Sequence, residues 1–113
     1  MSLKRATNSL PQDRETQMAI QECLLALQRH EGEWLEVGRV AVASGVPEPL
    51  SRTILRELVR ASVLTVEGET PRYRYAPDRL LALEVGSFLR RSEARTGKLQ
   101  DNVARFRERY GGR

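Results

Sequence analysis

The order of secondary-structure elements is clearest in residues 34–77, which read WLEVGRVAVASGVPEPLSRTILRELVRASVLTVEGETPRYRYAP. Residues 34–37 predict a short extended segment, and residues 39–44 predict a brief helix that ends at Gly45. Residues 46–47 predict a tight turn, because the residue before a proline disfavours helical backbone angles. The segment is therefore expected to contain two helices separated by a short turn.

The second of these helices is predicted over residues 48–61 and has two different faces. At roughly 100° per residue, Arg52, Arg56 and Arg60 fall on one side, Thr53 lies at its edge, and no acidic residue is expected on that side. The opposite side is expected to be buried, and it contains Leu50, Ser51, Ile54, Leu55, Leu58 and Ala61.

A β-hairpin is predicted after this helix, with strands over residues 63–66 and 72–76 joined by a loop over 68–71. Arginine and tyrosine alternate in the second strand, so one face of the hairpin is expected to be basic and the other aromatic. The aromatic face is expected to pack inward. The alternating residues are Arg72, Tyr73, Arg74 and Tyr75.

Ahead of this segment, residues 1–9 are small and polar and are expected to form a flexible tail. A helix is predicted to begin near Pro11, with Ser9 and Gln12 as a capping box, and to end at Gly32. Its apolar residues recur at helical spacing and are expected to be buried. They are Ile20, Cys23, Leu24 and Leu27.

Behind the hairpin, a long helix is predicted from Asp78 to Tyr110. If it is continuous it is about 50 Å long at the standard rise, which is more than a small domain can cover. Its apolar stripe is therefore expected to pack against a second copy of the chain, giving a homodimer. The stripe contains Phe88, Leu99, Val103, Phe106 and Tyr110. A turn at Gly97 would instead allow the last segment to fold back onto the first helix.

The composition indicates one soluble domain without metal or cofactor chemistry. The chain has 113 residues, with 40% hydrophobic and 30% charged residues, one cysteine and one histidine. One cysteine and one histidine do not supply the usual zinc, haem or triad arrangements, and no phosphate-binding glycine loop is present. We therefore expect no cofactor, no metal, no membrane contact and no enzymatic activity, and a location in the cytoplasm.

Three single residues have ordinary structural interpretations. Cys23 is expected to be a small core residue, because it lies among apolar neighbours. His30 is expected on the surface near a helix end, and Trp34 is expected to be a hydrophobic lid over the first helix. None of the three is predicted to be catalytic.

The order of helix, extended segment, helix, tight turn, helix and hairpin resembles the winged helix-turn-helix family of bacterial transcriptional regulators. In this comparison Ala41 takes the small buried position, Gly45 the turn, and Leu55 and Leu58 the core side of the recognition helix. The expected fold is mainly α with a small β-hairpin. It comprises a winged helix-turn-helix over 10–77, followed by a long C-terminal helix over 78–113 as the dimerisation element.

The resemblance implies a regulator that binds double-stranded DNA as a homodimer and associates with the nucleoid. The implied DNA contacts lie on the recognition helix and on the wing. They are Ser51, Arg52, Thr53, Arg56, Arg60, Arg72 and Arg74.

Arginine supplies seventeen of the nineteen basic residues, which suits phosphate binding but is equally expected of a GC-rich genome. An alternative function is a winged-helix module that binds a protein partner, because fold alone does not determine function. The acidic first half of the chain and Glu48, Glu67 and Glu69 favour this alternative.

Overall fold

The computed structural model describes residues 2–96, and this part of the chain is mainly helical with a small antiparallel sheet. The sheet has the strand order β1-β3-β2. In chain order the elements are α1 (Ser2–Ser9), α2 (Arg14–Arg29), β1 (Trp34–Glu36), α3 (Val37–Ser44), α4 (Glu48–Arg60), β2 (Thr65–Glu67), β3 (Arg72–Arg74) and α5 (Arg79–Thr96). The mainly helical class with a β-hairpin is confirmed.

The N-terminal segment is a helix, so the prediction of a flexible tail over 1–9 is wrong. Leu3, Ala6 and Leu10 are buried in the core, and the backbone N–H of Leu3 donates to the Glu84 carboxylate on α5 at 2.9 Å. Eight residues are too few for a stable helix in isolation. Tertiary packing against α4 and α5 therefore stabilises α1, and local sequence patterns do not report such packing.

The helix α2 begins later than predicted and has a different cap. The carboxylate of Asp13 accepts hydrogen bonds from the backbone N–H of Thr16 at 3.1 Å and from its hydroxyl at 2.7 Å. These bonds from Thr16 lower the pKa of Asp13 below its usual value. The predicted capping box at Ser9 and Gln12 is wrong, because Ser9 is the last residue of α1 and its hydroxyl donates to Arg5.

The central helix α2 carries the predicted apolar stripe into the core, packed against α3, α4 and α5. The four predicted residues Ile20, Cys23, Leu24 and Leu27 are all buried. Burial raises the pKa of the Cys23 thiol to about 12, so the thiol stays protonated at neutral pH. The prediction that Cys23 is a core residue is confirmed.

The turn between α3 and α4 has the geometry that its sequence predicts. Gly45 ends α3 in a left-handed conformation with φ of 77°, which glycine adopts without steric cost. The hydroxyl of Ser44 accepts from the N–H of Val46 at 3.2 Å, and the hydroxyl of Ser51 donates to the carbonyl of Val46 at 3.1 Å. These side chains hold the turn, so the direction of α4 relative to α3 is fixed.

A Schellman motif ends α4 and leads into the sheet. The N–H of Val63 donates to the carbonyl of Leu58 at 2.8 Å, and the N–H of Ser62 donates to that of Val59 at 2.9 Å. Ser62 has φ of 66°, the left-handed conformation usually taken by glycine at this position. The start of the hairpin therefore contains a strained serine.

The sheet joins the predicted hairpin to the extended segment that follows α2. Strand β3 pairs antiparallel with both β1 and β2, so each residue of β3 lies between one residue of each neighbour. Leu35, Tyr73 and Val66 form the middle row, with Leu35 and Tyr73 buried. Tyr75 is also buried, so the inward packing predicted for both tyrosines is confirmed.

The helix α5 packs on α1 and α2 and contributes to the hydrophobic core of the same chain. Val85, Phe88 and Leu89 are buried in that core, and Phe88 is only 7% exposed. The prediction that Phe88 lies at a dimer interface is therefore wrong. The remaining predicted interface residues lie outside the described residues, as does the predicted break at Gly97. They are Leu99, Val103, Phe106 and Tyr110.

Candidate nucleic-acid interface

The helix α4 exposes the arginine face that its periodicity predicts. Ile54, Leu55 and Leu58 are completely buried, whereas Arg52, Arg56 and Arg60 are exposed. The buried side anchors the helix, and the arginines on its other side stay in solvent because the helix cannot rotate without exposing three large apolar side chains. These three arginines are called the α4 face below.

Two other predicted contacts on α4 have different environments. Ser51 is completely buried and its hydroxyl donates to Val46, so the prediction that Ser51 contacts DNA is wrong. Its role is to hold the turn. Thr53 is partly exposed and its hydroxyl donates to the carbonyl of Pro49 at 3.1 Å, so its methyl and hydroxyl lie at the edge of the α4 face.

Glutamates border the α4 face, contrary to the expectation that it carries no acid. Arg52 pairs with Glu48 at 2.9 Å, and Arg60 pairs with Glu57 at 3.6 Å. Both pairs join residues on adjacent turns of the same helix. Among the described residues, no carboxylate lies within ion-pair distance of Arg56. Arg56 is therefore the cation of this helix with no acidic partner in the described part of the chain.

The sheet has an outer face built from two rows of paired residues. One row contains Trp34, Arg74 and Thr65, and the other contains Glu36, Arg72 and Glu67. Arg72 donates to the Glu67 carboxylate at 2.7 Å. The predicted basic face therefore also carries two glutamates, and one of them, Glu67, is paired with Arg72.

Trp34 has a position that the sequence did not predict. It lies on the outer face of the sheet, and the guanidinium carbon of Arg74 is 4.8 Å from the centroid of its ring. The expectation that Trp34 is a lid over the first helix is wrong. Alternation along β1 places the Trp34 side chain on the face of the sheet opposite to that of the buried Leu35. Only the pairing of β1 with β3 brings Trp34 beside Arg74.

An open groove lies between α1 and α5. The groove has a volume of about 680 Å³, and its lining includes Leu3, Lys4, Glu84 and Phe88. At its edge, Leu80 and Leu83 of α5 are 78% and 58% exposed. The residues that line this groove belong neither to the α4 face nor to the sheet.

Residues 2–96 contain neither a metal-binding cluster nor a membrane-spanning helix. No group of three metal-ligating side chains comes together in this part of the chain. None of its helices has the length and hydropathy needed to cross a membrane. His30 is partly exposed, with its Nδ1 atom 3.4 Å from the Glu33 carboxylate, as expected of a surface residue.

The exposed arginines are suited to contact with an anionic polymer. A guanidinium donates two parallel hydrogen bonds to a phosphate or to the edge of a guanine. Three such groups follow one another along α4 with one turn between neighbours. No family model, curated protein or solved structure matches the chain.

Proposed function

We propose that residues 10–77 form a winged helix-turn-helix that binds double-stranded DNA, and that the protein regulates transcription by occupying its sites. In this proposal α3 and α4 are the helix-turn-helix, α4 is the recognition helix, and β2 and β3 form the wing. The proposed action is binding alone, without a catalytic step.

The observation that supports the proposal best is the α4 face. Its arginines project from a helix whose other side buries Ile54, Leu55 and Leu58 completely. The turn before that helix is held by Ser44 and Ser51. A recognition helix needs this combination, because its side chains must reach base edges from a fixed frame. The bordering glutamates do not prevent contact, since exposed pairs are worth about 0 to 1 kcal/mol.

A titration with fluorescently labelled duplex DNA tests the proposal. The anisotropy is expected to rise at low salt, and the affinity is expected to fall by orders of magnitude at moderately high salt, because bound arginines release condensed counterions. A variant with Arg52, Arg56 and Arg60 all changed to glutamine should lose most of this binding. No rise in anisotropy with any duplex at low salt would contradict the proposal.

We also propose that the protein is a homodimer that places two recognition helices on adjacent half-sites. The proposed interface is the apolar stripe Leu99, Val103, Phe106 and Tyr110, without Phe88. Changing Val103 and Phe106 to serine in the full-length chain should give a monomer by light scattering and weaken DNA binding, because each half-site is then bound without its tethered neighbour. A wild-type monomer would contradict this arrangement.

One observation favours the second function, a module that binds a protein partner. Leu80 and Leu83 are exposed beside the groove between α1 and α5, and exposed apolar patches often mark protein-binding surfaces. Two results together would favour this function over DNA binding: no duplex is bound at low salt, and a partner protein protects α5 from amide hydrogen exchange.

A further inference from the structure

Trp34 and Arg74 form a cation–π pair on the outer face of the sheet. The two residues lie directly opposite each other on β1 and β3, and the guanidinium carbon is 4.8 Å from the ring centroid. A cation within about 6 Å of a tryptophan centroid is attracted by the ring quadrupole. Arg74 is therefore held against the indole rather than extended freely into water.

The charge of Arg74 is not compensated by the residues around it. Among the described residues, no carboxylate lies within ion-pair distance of Arg74, because Glu67 pairs with Arg72 in the neighbouring row. The Nε atom of Arg74 is buried, and within the described part of the chain no group accepts a hydrogen bond from it. The other neighbour in its row, Thr65, has no charge.

Stacking leaves the hydrogen-bonding edge of a guanidinium available. The N–H groups of arginine lie in the guanidinium plane, so a ring against one face does not occupy them. This planar edge matches a tetrahedral phosphate group, to which two of its donors can bind together. An arginine that is already stacked also loses less side-chain freedom on binding.

We propose that Arg74 binds a backbone phosphodiester of duplex DNA and that Trp34 is the residue that positions it. This proposal rests on the proposed DNA-binding function and adds to it a defined phosphate site on the sheet. Because every nucleotide carries a phosphodiester, the site contributes affinity without sequence preference. Arg72 is held by Glu67 and contributes less.

A double-mutant cycle on the full-length protein tests the site with a labelled duplex of random sequence. Arg74→Gln should weaken binding and reduce the slope of log affinity against log salt by about 1. Trp34→Leu should weaken binding by about two- to fivefold and leave the salt slope unchanged, because the arginine keeps its charge. In the Arg74→Gln background, Trp34→Leu should cause no further loss.

The controls separate positioning from a general effect on folding or charge. Arg90→Gln removes an exposed arginine from α5 and should leave the affinity unchanged. Trp34→Phe retains an aromatic face and should restore part of the affinity lost in Trp34→Leu. Equal melting temperatures show that the variants remain folded. Trp34 is the only tryptophan in the chain, so its emission should change with duplex concentration in parallel with the anisotropy.

The outcomes distinguish failure of this site from failure of the proposed function. If the affinity losses of Trp34→Leu and Arg74→Gln simply add in the double variant, the phosphate site is overturned while DNA binding stands. Trp34 emission that stays constant at saturating duplex has the same meaning. No binding of the wild-type protein to any duplex overturns both. The site is supported if Trp34→Leu lowers the affinity of the wild-type protein but causes no further loss in the Arg74→Gln variant. If Trp34 had a purely structural role, its replacement would lower the affinity in both backgrounds.

Discussion

The α4 face and the outer face of the sheet both carry arginines beside glutamates, but they hold them differently. On α4 the paired side chains belong to one helix, and Arg52 and Glu48 are 53% and 51% exposed. Such a pair rearranges by side-chain rotation at little cost. On the sheet, strand pairing places Arg72 beside Glu67, with side chains 48% and 45% exposed, and it places Arg74 beside Trp34, where the guanidinium stacks on the indole ring.

This difference indicates different roles within the proposed function. Arginines that rearrange easily can adapt to the edges of particular bases, whereas an arginine that is held in place suits a phosphate at a constant distance. Base contacts determine sequence preference, and phosphate contacts supply affinity that all sequences share. Substitutions on the two surfaces should therefore change different quantities.

The largest effect is expected at Arg56, which has no acidic partner among the described residues. Arg56→Ala should reduce the discrimination between a preferred duplex and a random duplex by about 1 to 3 kcal/mol, the amount carried by one bidentate base contact. Anisotropy titrations with both duplexes measure it. Arg90→Ala on α5 is the matched control. Equal and small losses on the two duplexes would show that α4 does not contact bases.

The next effect separates the two arginines of the sheet. Arg74→Ala should weaken binding to all duplexes alike by about 1.5 kcal/mol, the lower end of the range for a hydrogen bond to a charged group. Arg72→Ala should weaken it less, because Arg72 is already paired with Glu67 at 2.7 Å. The affinities of both variants are measured by anisotropy with the same random duplex at the same salt concentration. An equal loss in both variants would contradict the different roles assigned to the two rows.

A smaller effect of opposite sign is expected from the glutamates. Glu67→Gln frees Arg72 and should strengthen binding to all duplexes, by no more than about 1 kcal/mol. Glu69→Gln is the control, since it makes the same charge change in the loop beside β2 without breaking a described ion pair. If both variants strengthen binding equally, the effect comes from net charge and not from release of Arg72.

The smallest effect concerns the connection between the two surfaces. Ser62→Gly should raise the free energy of unfolding by about 0.5 to 1 kcal/mol, because glycine adopts the left-handed conformation at this position without strain. Ser87→Gly within α5 should lower it by about 0.5 kcal/mol, since glycine disfavours a helix interior. Urea denaturation measures both. Destabilisation by Ser62→Gly would contradict the strain inferred from its backbone angle.

Local patterns predicted the elements of residues 34–77 and the two faces of α4. Turns, caps and helical periodicity depend on neighbours in the chain, as the left-handed Gly45 and the buried Leu55 and Leu58 show. Contacts between distant residues were not predictable in this way. The burial of Leu3 depends on α5, and the contact of Trp34 with Arg74 depends on strand pairing across forty residues.

The predicted exposure of the arginines on α4 was correct because it follows from periodicity, whereas the predicted contacts of Ser51 and Phe88 were wrong. Arg52, Arg56 and Arg60 are exposed as expected. Ser51 lies on the side of α4 that periodicity predicts to be buried, and its hydroxyl donates to a backbone carbonyl, so the DNA contact implied by the family resemblance was wrong. Phe88 fits the apolar stripe predicted for a long helix, but its side chain is buried in the core of the same chain.

Selection of bound fragments from a pool of random duplex DNA tests the division between the two surfaces most directly. The wild-type protein is expected to enrich one sequence motif, at both low and moderate salt. Arg56→Ala should retain DNA but lose that motif, whereas Arg74→Ala should keep the motif and retain less DNA. Retention without any enriched motif in the wild type, or loss of the motif in Arg74→Ala alone, would contradict the roles assigned to α4 and the sheet.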